Sequence, residues 1–371
     1  MEEREMRLMK GNEAIAEAAI RAGADAFYGY PITPQTEVME YLMETDATAR
    51  TGMAVLQAES EVSAINMVYG GASTGHRVMT SSSSPGISLM AEGISYLAGA
   101  ELPCLLINVS RGGPGLGTIQ PSQADYFQTV KGGGHGDYKL LTLAPSSVQE
   151  LADFIALGFD LAFKYRNPTM ILADGALGQM MEKIYLPAQR PRMTEYPDWA
   201  TNGTPEGKER RFITSLNLLP QEHELVNIRL QKKYREMEQN EVRYEMIQCD
   251  DADYVIVAFG IIARIAQKSI ELARAKGHKI GLFRPISLYP FPYDQIRELA
   301  DNPRIKGLFS VELSAGQMIE DIRLAVEGRN PLASSVVWEV WFPHLRRLRA
   351  LSTNTLISNK HGNGSKRYNQ T

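Results

Sequence analysis

Gly29-Tyr30-Pro31-Ile32-Thr33-Pro34 follows a short apolar run, Ala26-Phe27-Tyr28, and precedes a helical stretch that begins at Gln35. Proline fixes its own φ and pushes the preceding residue into extended geometry, so Tyr30 and Thr33 are both expected to be extended. The segment predicts a stiff strand-to-helix loop that presents the Thr33 hydroxyl at a defined place. Such stiffness suits the holding of a small molecule, because little ordering entropy remains to be lost. A rigid turn without a ligand reads the same way, so the neighbouring segments decide.

Working outward, three further segments fall at expected strand ends or helix starts. They are Ser60-Glu61, Ser81-Ser82-Ser83-Ser84-Pro85-Gly86 and Arg111-Gly112-Gly113-Pro114-Gly115. Strands are expected at 26–28, 54–56, 77–80, 104–109 and 169–172. Helices are expected at 11–22, 35–44, 61–69, 86–98 and 146–163, the third stopping at Gly70-Gly71. This alternation predicts an α/β fold with a doubly wound parallel sheet, helices on both faces, and ligands at the carboxyl ends of the strands.

From 189 to 248 the apolar strand pattern disappears. Residues 190–192 and 203–207 read as loops. Residues 225–246 read as a charged helix, either one with a solvated face that links two domains or an arm lying on a partner subunit. A second, smaller α/β unit follows, with strands at 254–260, 280–283 and 307–311 and helices at 262–275, 294–299 and 317–326; Arg284-Pro285 is read as a turn. The expected division is therefore 1–188, 189–248, 249–340 and a polar, mobile tail at 341–371.

Composition narrows the classes. A chain of 371 residues suggests two or three domains, and 44% hydrophobic with 22% charged residues is ordinary for a globular protein. A net charge of -4 gives no footprint for nucleic acid. Cys104 and Cys249 form neither a disulfide framework nor a CxxC motif. That fits a cytoplasmic protein and argues against an iron–sulfur cluster or structural zinc in this chain. The opening Met1-Glu2-Glu3-Arg4-Glu5 is too acidic for a signal peptide, and no membrane span is expected.

Several residues have the chemistry of a site. Glu61 sits after a capping serine: it either complements a helix dipole or hydrogen-bonds a protonated ring nitrogen of a cofactor, and Glu59 is an equal candidate. Arg111 follows the most apolar strand and suits bidentate capture of a substrate carboxylate, or is a surface arginine. The glycines after it lack the spacing of a phosphate cradle and suggest a flexible lid or a close-packed loop. Ser81 to Ser84 offer hydroxyls and a helix N-terminus to an anion, or a plain cap. His135-Gly136-Asp137 reads as a loop, since no nucleophile completes a triad, and the other histidines show no metal-ligand spacing.

Taken together, these segments resemble the α subunit of the 2-oxoacid:ferredoxin oxidoreductases. Tyr30-Pro31-Ile32-Thr33-Pro34 is similar to that family's most diagnostic motif. Ser60-Glu61, Ser82-Ser83-Ser84-Pro85-Gly86, Asn108-Val109-Ser110-Arg111, Gly132-Gly133-Gly134-His135-Gly136-Asp137-Tyr138 and Leu143-Ala144-Pro145-Ser146-Ser147-Val148 follow in order. Arg284-Pro285, Leu288-Tyr289-Pro290-Phe291-Pro292 and Val311-Glu312-Leu313-Ser314-Ala315-Gly316-Gln317-Met318 extend the resemblance to about residue 330. The subgroup it most resembles is the 2-oxoisovalerate enzymes, with the 2-oxoglutarate enzymes second.

The resemblance implies a thiamine-diphosphate (pyrimidine-type) domain followed by a transketolase C-terminal-like domain. It implies decarboxylation of a 2-oxoacid, electron transfer through iron–sulfur clusters to ferredoxin, and acyl transfer to coenzyme A. By the same transfer Glu61 bonds the pyrimidine and promotes its imino tautomer. Thr33, Arg111 and Tyr30 meet the substrate, and Pro31, Ile32, Ser83 and Ser84 line the cofactor. The family's diphosphate- and Mg²⁺-binding motif, Gly-Asp-Gly with a later Asn, is not matched by Ala173-Asp174-Gly175-Ala176. A β subunit is therefore expected to bring that half and its Mg²⁺. Small γ and δ subunits are expected to bring the iron–sulfur clusters, and this chain alone is expected to be inactive. Residues 338–371 depart from the Gly-rich segment and short helix with which the family usually ends. A different thiamine enzyme or a non-catalytic scaffold subunit are the alternatives.

Overall fold

The computed structural model describes residues 5–203, 209–329 and 332–336, the last stretch as backbone only. The chain opens with β1 (Glu5–Lys10), α1 (Gly11–Arg21), β2 (Ala26–Gly29), α2 (Thr36–Glu44), α3 (Ala47–Thr51), β3 (Ala54–Gln57) and α4 (Glu61–Ser73). It continues with β4 (Val78–Ser82), α5 (Ser84–Gly99), β5 (Leu105–Ser110), α6 (Tyr126–Val130), β6 (Leu141–Leu143), α7 (Val148–Tyr165), β7 (Thr169–Asp174), α8 (Gly175–Gln179) and β8 (Met181–Leu186). The long α9 (Pro220–Asn240) leads into β9 (Tyr244–Ile247), β10 (Tyr254–Val257), α10 (Gly260–Arg274), β11 (Ile280–Pro285), β12 (Ser287–Tyr289), α11 (Tyr293–Asp301), β13 (Gly307–Glu312), α12 (Met318–Val326) and β14 (Leu332–Val336).

Seven strands form the main sheet in the order β12-β6-β7-β5-β4-β2-β3, parallel except where β12 meets β6. Every residue of β5 and β7 is buried, as expected of parallel strands covered on both faces. α1 packs on α7, and α4 on α5. From β2 the chain goes outward to β3 and then returns to β4 on the other side. The strand order thus reverses between β2 and β4, which is where open α/β sheets open a crevice. The two strands pair only at Ala26 with Val78 and Phe27 with Met79, so beyond Phe27 they part. The loop after β2 fills that gap.

The second sheet runs β14-β13-β10-β11-β9, parallel but for β9 on the edge. The two units are closely joined. β12, from the second half of the chain, adds to the edge of the first sheet. The Gln123 side chain donates to the Phe259 carbonyl at 2.9 Å and accepts from the Leu313 amide at 2.9 Å. The buried Asp321 carboxylate accepts from Tyr126 at 2.6 Å and also bonds Lys131 and Tyr293.

Several expectations change. The helix begun at Glu61 runs through Gly70 and Gly71 to Ser73, because Gly71 is a packing glycine: a Cβ there would stand 2.8 Å from Val78 Cγ1. Arg284-Pro285 continues β11 rather than turning, since β9 pairs with it antiparallel. α9 starts at Pro220, in the first turn where proline's missing N–H costs nothing. It ends at Asn240, short of the expected 246, because β9 follows; it buries Leu230, Lys233, Tyr234 and Met237 along one stripe and leaves the charged face solvated, as its charge pattern suggests. The antiparallel ribbon of β1 with β8, Glu5 opposite Leu186, was not expected, because its strands lie far apart in sequence. The expectations for residues 1–4, 204–208, 330–331 and 337–371 lie outside the described residues. Among the described residues no helix is long and apolar enough to cross a membrane.

Candidate active site

The loop after β2 is held from beneath by Gln35. Its side-chain amide donates to the Tyr30 carbonyl at 3.2 Å, and its Oε1 accepts from Ser81 Oγ of β4 at 2.5 Å. The Gln35 amide donates to the Ile32 carbonyl at 3.0 Å. Asn12 of α1 donates to the Pro34 carbonyl at 2.7 Å. With its backbone so occupied, the loop leaves Thr33 exposed and Tyr30, Pro31 and Ile32 half-buried at the crevice. Thr33–Pro34 is a cis peptide bond.

Glu61 is the first residue of α4. Ser60 caps the helix by accepting from the Ser63 amide at 3.2 Å, an interaction worth about 1 kcal/mol. Glu59 is exposed, whereas Glu61 is only 5% exposed, so the two candidates separate cleanly. Among the described residues nothing hydrogen-bonds the Glu61 carboxylate. It lies against Gly86 of α5, where a Cβ would come within 2.7 Å of Glu61 Oε1 and 2.0 Å of Ser82 Oγ. The buried hydroxyls of Ser82 and Ser83 also lack partners. The Glu61 carboxylate, an acceptor only when ionised, is thus free to take a donor that enters the crevice. A carboxylate acceptor, two spare hydroxyls and a glycine cradle fit a flat heterocycle with N–H donors. Ser84 is different: its Oγ is engaged with Arg111 and Asp125.

Arg111 leaves the end of β5 and forms a β-bridge with Pro121. Its guanidinium donates to the carbonyls of Thr33 at 2.9 Å and Leu116 at 3.3 Å, and its buried Nε has no partner. Among the described residues no carboxylate forms a salt bridge with it, although the buried Asp125 carboxylate lies close enough to feel its charge. The glycine-rich loop beyond it is close-packed. Gly117 has φ +57°, and a Cβ there would stand 1.8 Å from the Gly112 carbonyl. This loop carries Leu116, 86% exposed, and the exposed Ile119.

Other candidates fall away from this cluster. The His135 ring sits edge-on to Tyr96 and its carbonyl accepts from Ser95. Asp174 caps α8, accepting from the Ala176 and Leu177 amides at 2.8 and 3.1 Å. Among the described residues no group of three or more His, Cys, Asp or Glu has the arrangement of a metal site. Sequence reasoning missed Gln35 and Asp125. Gln35 borders the diagnostic motif, but Asp125 carries no local signal.

Residues 17–248 match the family described as pyruvate flavodoxin/ferredoxin oxidoreductase, thiamine diphosphate-binding, and residues 252–340 match pyruvate:ferredoxin oxidoreductase core domain II. The chain is 51% identical over 319 residues to ketoisovalerate oxidoreductase subunit VorB of Methanothermobacter thermautotrophicus, spanning 86% of this chain and 89% of that one. It is 34% identical over 340 residues to 2-oxoglutarate synthase subunit KorA of Methanocaldococcus jannaschii, spanning 85% and 91%. The solved 2-oxoglutarate:ferredoxin oxidoreductase from Magnetococcus marinus, with 2-oxoglutarate, coenzyme A and succinyl-CoA bound, is similar at TM-score 0.80 and 25% identity. That match covers 94% of this chain and 65% of the other. A split gene transketolase, in an inactive β4 tetramer, shares the fold alone, at TM-score 0.54 and 12% identity over 89% of this chain and 88% of that one. The transketolase-like architecture and the two consecutive family matches lead to one conclusion: the chain belongs to the pyruvate flavodoxin/ferredoxin oxidoreductase family, as a 2-oxoacid:ferredoxin oxidoreductase subunit carrying its thiamine-diphosphate-binding domain.

Proposed function

We propose that this chain is the α subunit of a cytoplasmic, thiamine-diphosphate-dependent enzyme that converts 2-oxoisovalerate and coenzyme A to the acyl-CoA and CO2 and reduces ferredoxin. The observation that carries the proposal is the sheltered Glu61 carboxylate, without a partner among the described residues, beside Gly86 in the crevice between β2 and β4. When bound, thiamine diphosphate supplies the nucleophilic carbanion and the electron sink for decarboxylation. Glu61 would accept from a ring nitrogen of the pyrimidine and hold a proton there. Pro31 and Ile32 would wall the pyrimidine, Ser83 would offer its spare hydroxyl, and Ser84 would hold the edge of the site through Arg111. Arg111 would bind the substrate carboxylate, with the Thr33 hydroxyl and Tyr30 beside it.

Asp174, the carboxylate of Ala173-Asp174-Gly175, is spent on capping α8, which supports a β subunit bringing the diphosphate half and its Mg²⁺. γ and δ subunits would carry iron–sulfur clusters to ferredoxin. In this reading 1–188 is the pyrimidine unit, 189–248 a connecting arm and 249–340 the transketolase C-terminal-like unit. A branched aliphatic substrate is supported by the 51% identical relative and by exposed Leu116 and Ile119 following Arg111. 2-Oxoglutarate is the second reading, supported by the 34% identical relative. A scaffold subunit would have no use for an unpaired, sheltered carboxylate.

The test is a viologen-reduction assay on the complex purified from its source or reconstituted, with coenzyme A and 2-oxoisovalerate, 2-oxoglutarate or pyruvate. Glu61→Gln is expected to lower turnover by about 10²-fold or more at unchanged thermal stability. Near-normal turnover of that variant, or turnover by the isolated chain, overturns the proposal.

A further inference from the structure

We propose that Asp125 is a positioning residue for Arg111, acting through the hydroxyl of Ser84. Asp125 immediately precedes α6, and its Oδ2 accepts from Ser84 Oγ at 2.6 Å and from Asn108 Nδ2 at 2.8 Å. Ser84 Oγ in turn accepts from the Arg111 amide at 3.0 Å. A serine hydroxyl has one proton and two lone pairs, whereas an ionised carboxylate only accepts. With Asp125 in place the proton points to Oδ2 and a lone pair faces the Arg111 N–H. The Arg111 carbonyl, 3.1 Å from the same Oγ, is the competing acceptor. Without Asp125 the hydroxyl loses its anchor outside residue 111, its proton turns to that carbonyl, and the lone pair facing the Arg111 N–H is no longer held in place, which loosens the backbone from which the guanidinium reaches the Thr33 and Leu116 carbonyls. Asn108 orients the carboxylate from β5 itself, so the chain of bonds runs from the sheet to the arginine.

The catalytic consequence rests on the reading of Arg111 as the partner of the substrate carboxylate. In the assembled complex, Asp125→Ala is expected to raise KM for 2-oxoisovalerate about tenfold with kcat changed less than threefold. Asp125→Asn, which keeps an acceptor oxygen, restores most of the loss. On an Arg111→Met background Asp125→Ala adds nothing to KM. Hydrogen exchange at the Arg111 amide, read by mass spectrometry on the complex, accelerates in Asp125→Ala and not in Asp125→Asn. Unchanged exchange, or KM effects that multiply independently in the double variant, overturns the proposal. Accelerated exchange, with KM for every 2-oxoacid tested unmoved by either Arg111→Met or Asp125→Ala, upholds the positioning of Arg111 and overturns its substrate role.

Discussion

Arg111 Nη1 donates to the Thr33 carbonyl at 2.9 Å, so two loops 78 positions apart in the chain share one hydrogen bond. The bond spans from the end of β5 to the loop after β2, across the point where strand order reverses. It sets a charged fork beside an exposed hydroxyl, the pair proposed above to meet the 2-oxoacid.

Removing that fork should weaken substrate binding more than folding. Charge-assisted hydrogen bonds contribute about 1.5–3 kcal/mol, and each 1.4 kcal/mol is about tenfold in affinity. Arg111→Met is expected to raise KM for the 2-oxoacid by roughly 10–100-fold. Arg111→Lys keeps the charge but loses the planar fork, and should recover only part. Steady-state viologen reduction checks both, with a thermal melt as control.

Gly86→Ala should disable the site by its smallest possible change. The new methyl would meet Ser82 Oγ at 2.0 Å and Glu61 Oε1 at 2.7 Å. Glu61 is expected to be displaced, and calorimetric titration of the reconstituted complex with thiamine diphosphate should show at least tenfold weaker binding. Affinity equal to that of the unaltered complex contradicts the placement of Glu61.

Gln35→Leu should destabilise the chain by about 1–3 kcal/mol, because it strands the Ser81 hydroxyl and the Tyr30 carbonyl. Adding Ser81→Ala removes one of those orphans and should return part of the loss. Urea unfolding midpoints measure both steps.

Asp174 gives a pH signature. Burial pushes its carboxyl up to about 6, against the lowering effect of the backbone amides it caps. The folded chain therefore keeps this proton to higher pH than the unfolded chain, whose value is ordinary. The contribution of this group to stability falls as pH rises from about 4 to about 6, by at most about 1.4 kcal/mol per pH unit, and it adds no slope above that. Asp174→Asn keeps the cap without the charge, so the variant should gain on the parent across that window. Urea titrations at pH 4, 5, 6 and 7 decide it; a difference that ignores pH contradicts the assignment.

Much of the site was legible in the sequence because its parts are local. The two prolines around Thr33 and the serine before Glu61 each declare a backbone geometry at their own position. Position alone could not separate Glu59 from Glu61; burial does. Gln35 and Asp125 were illegible because their meaning lies in bonds to Ser81 and Ser84, 46 and 41 positions away. The β1–β8 ribbon escaped for the same reason. Gly71 misled because a glycine in a helix reads as a stop, whereas here it admits Val78.

β12 has a practical consequence for anyone dissecting the gene. Excising the second half of the chain as a stand-alone module would strip β6 of its outermost neighbour and leave a raw row of amides and carbonyls at the border of the main sheet. The truncated product should be sticky and short-lived in the test tube, so functional dissection of this polypeptide is better done by point substitution than by scissors.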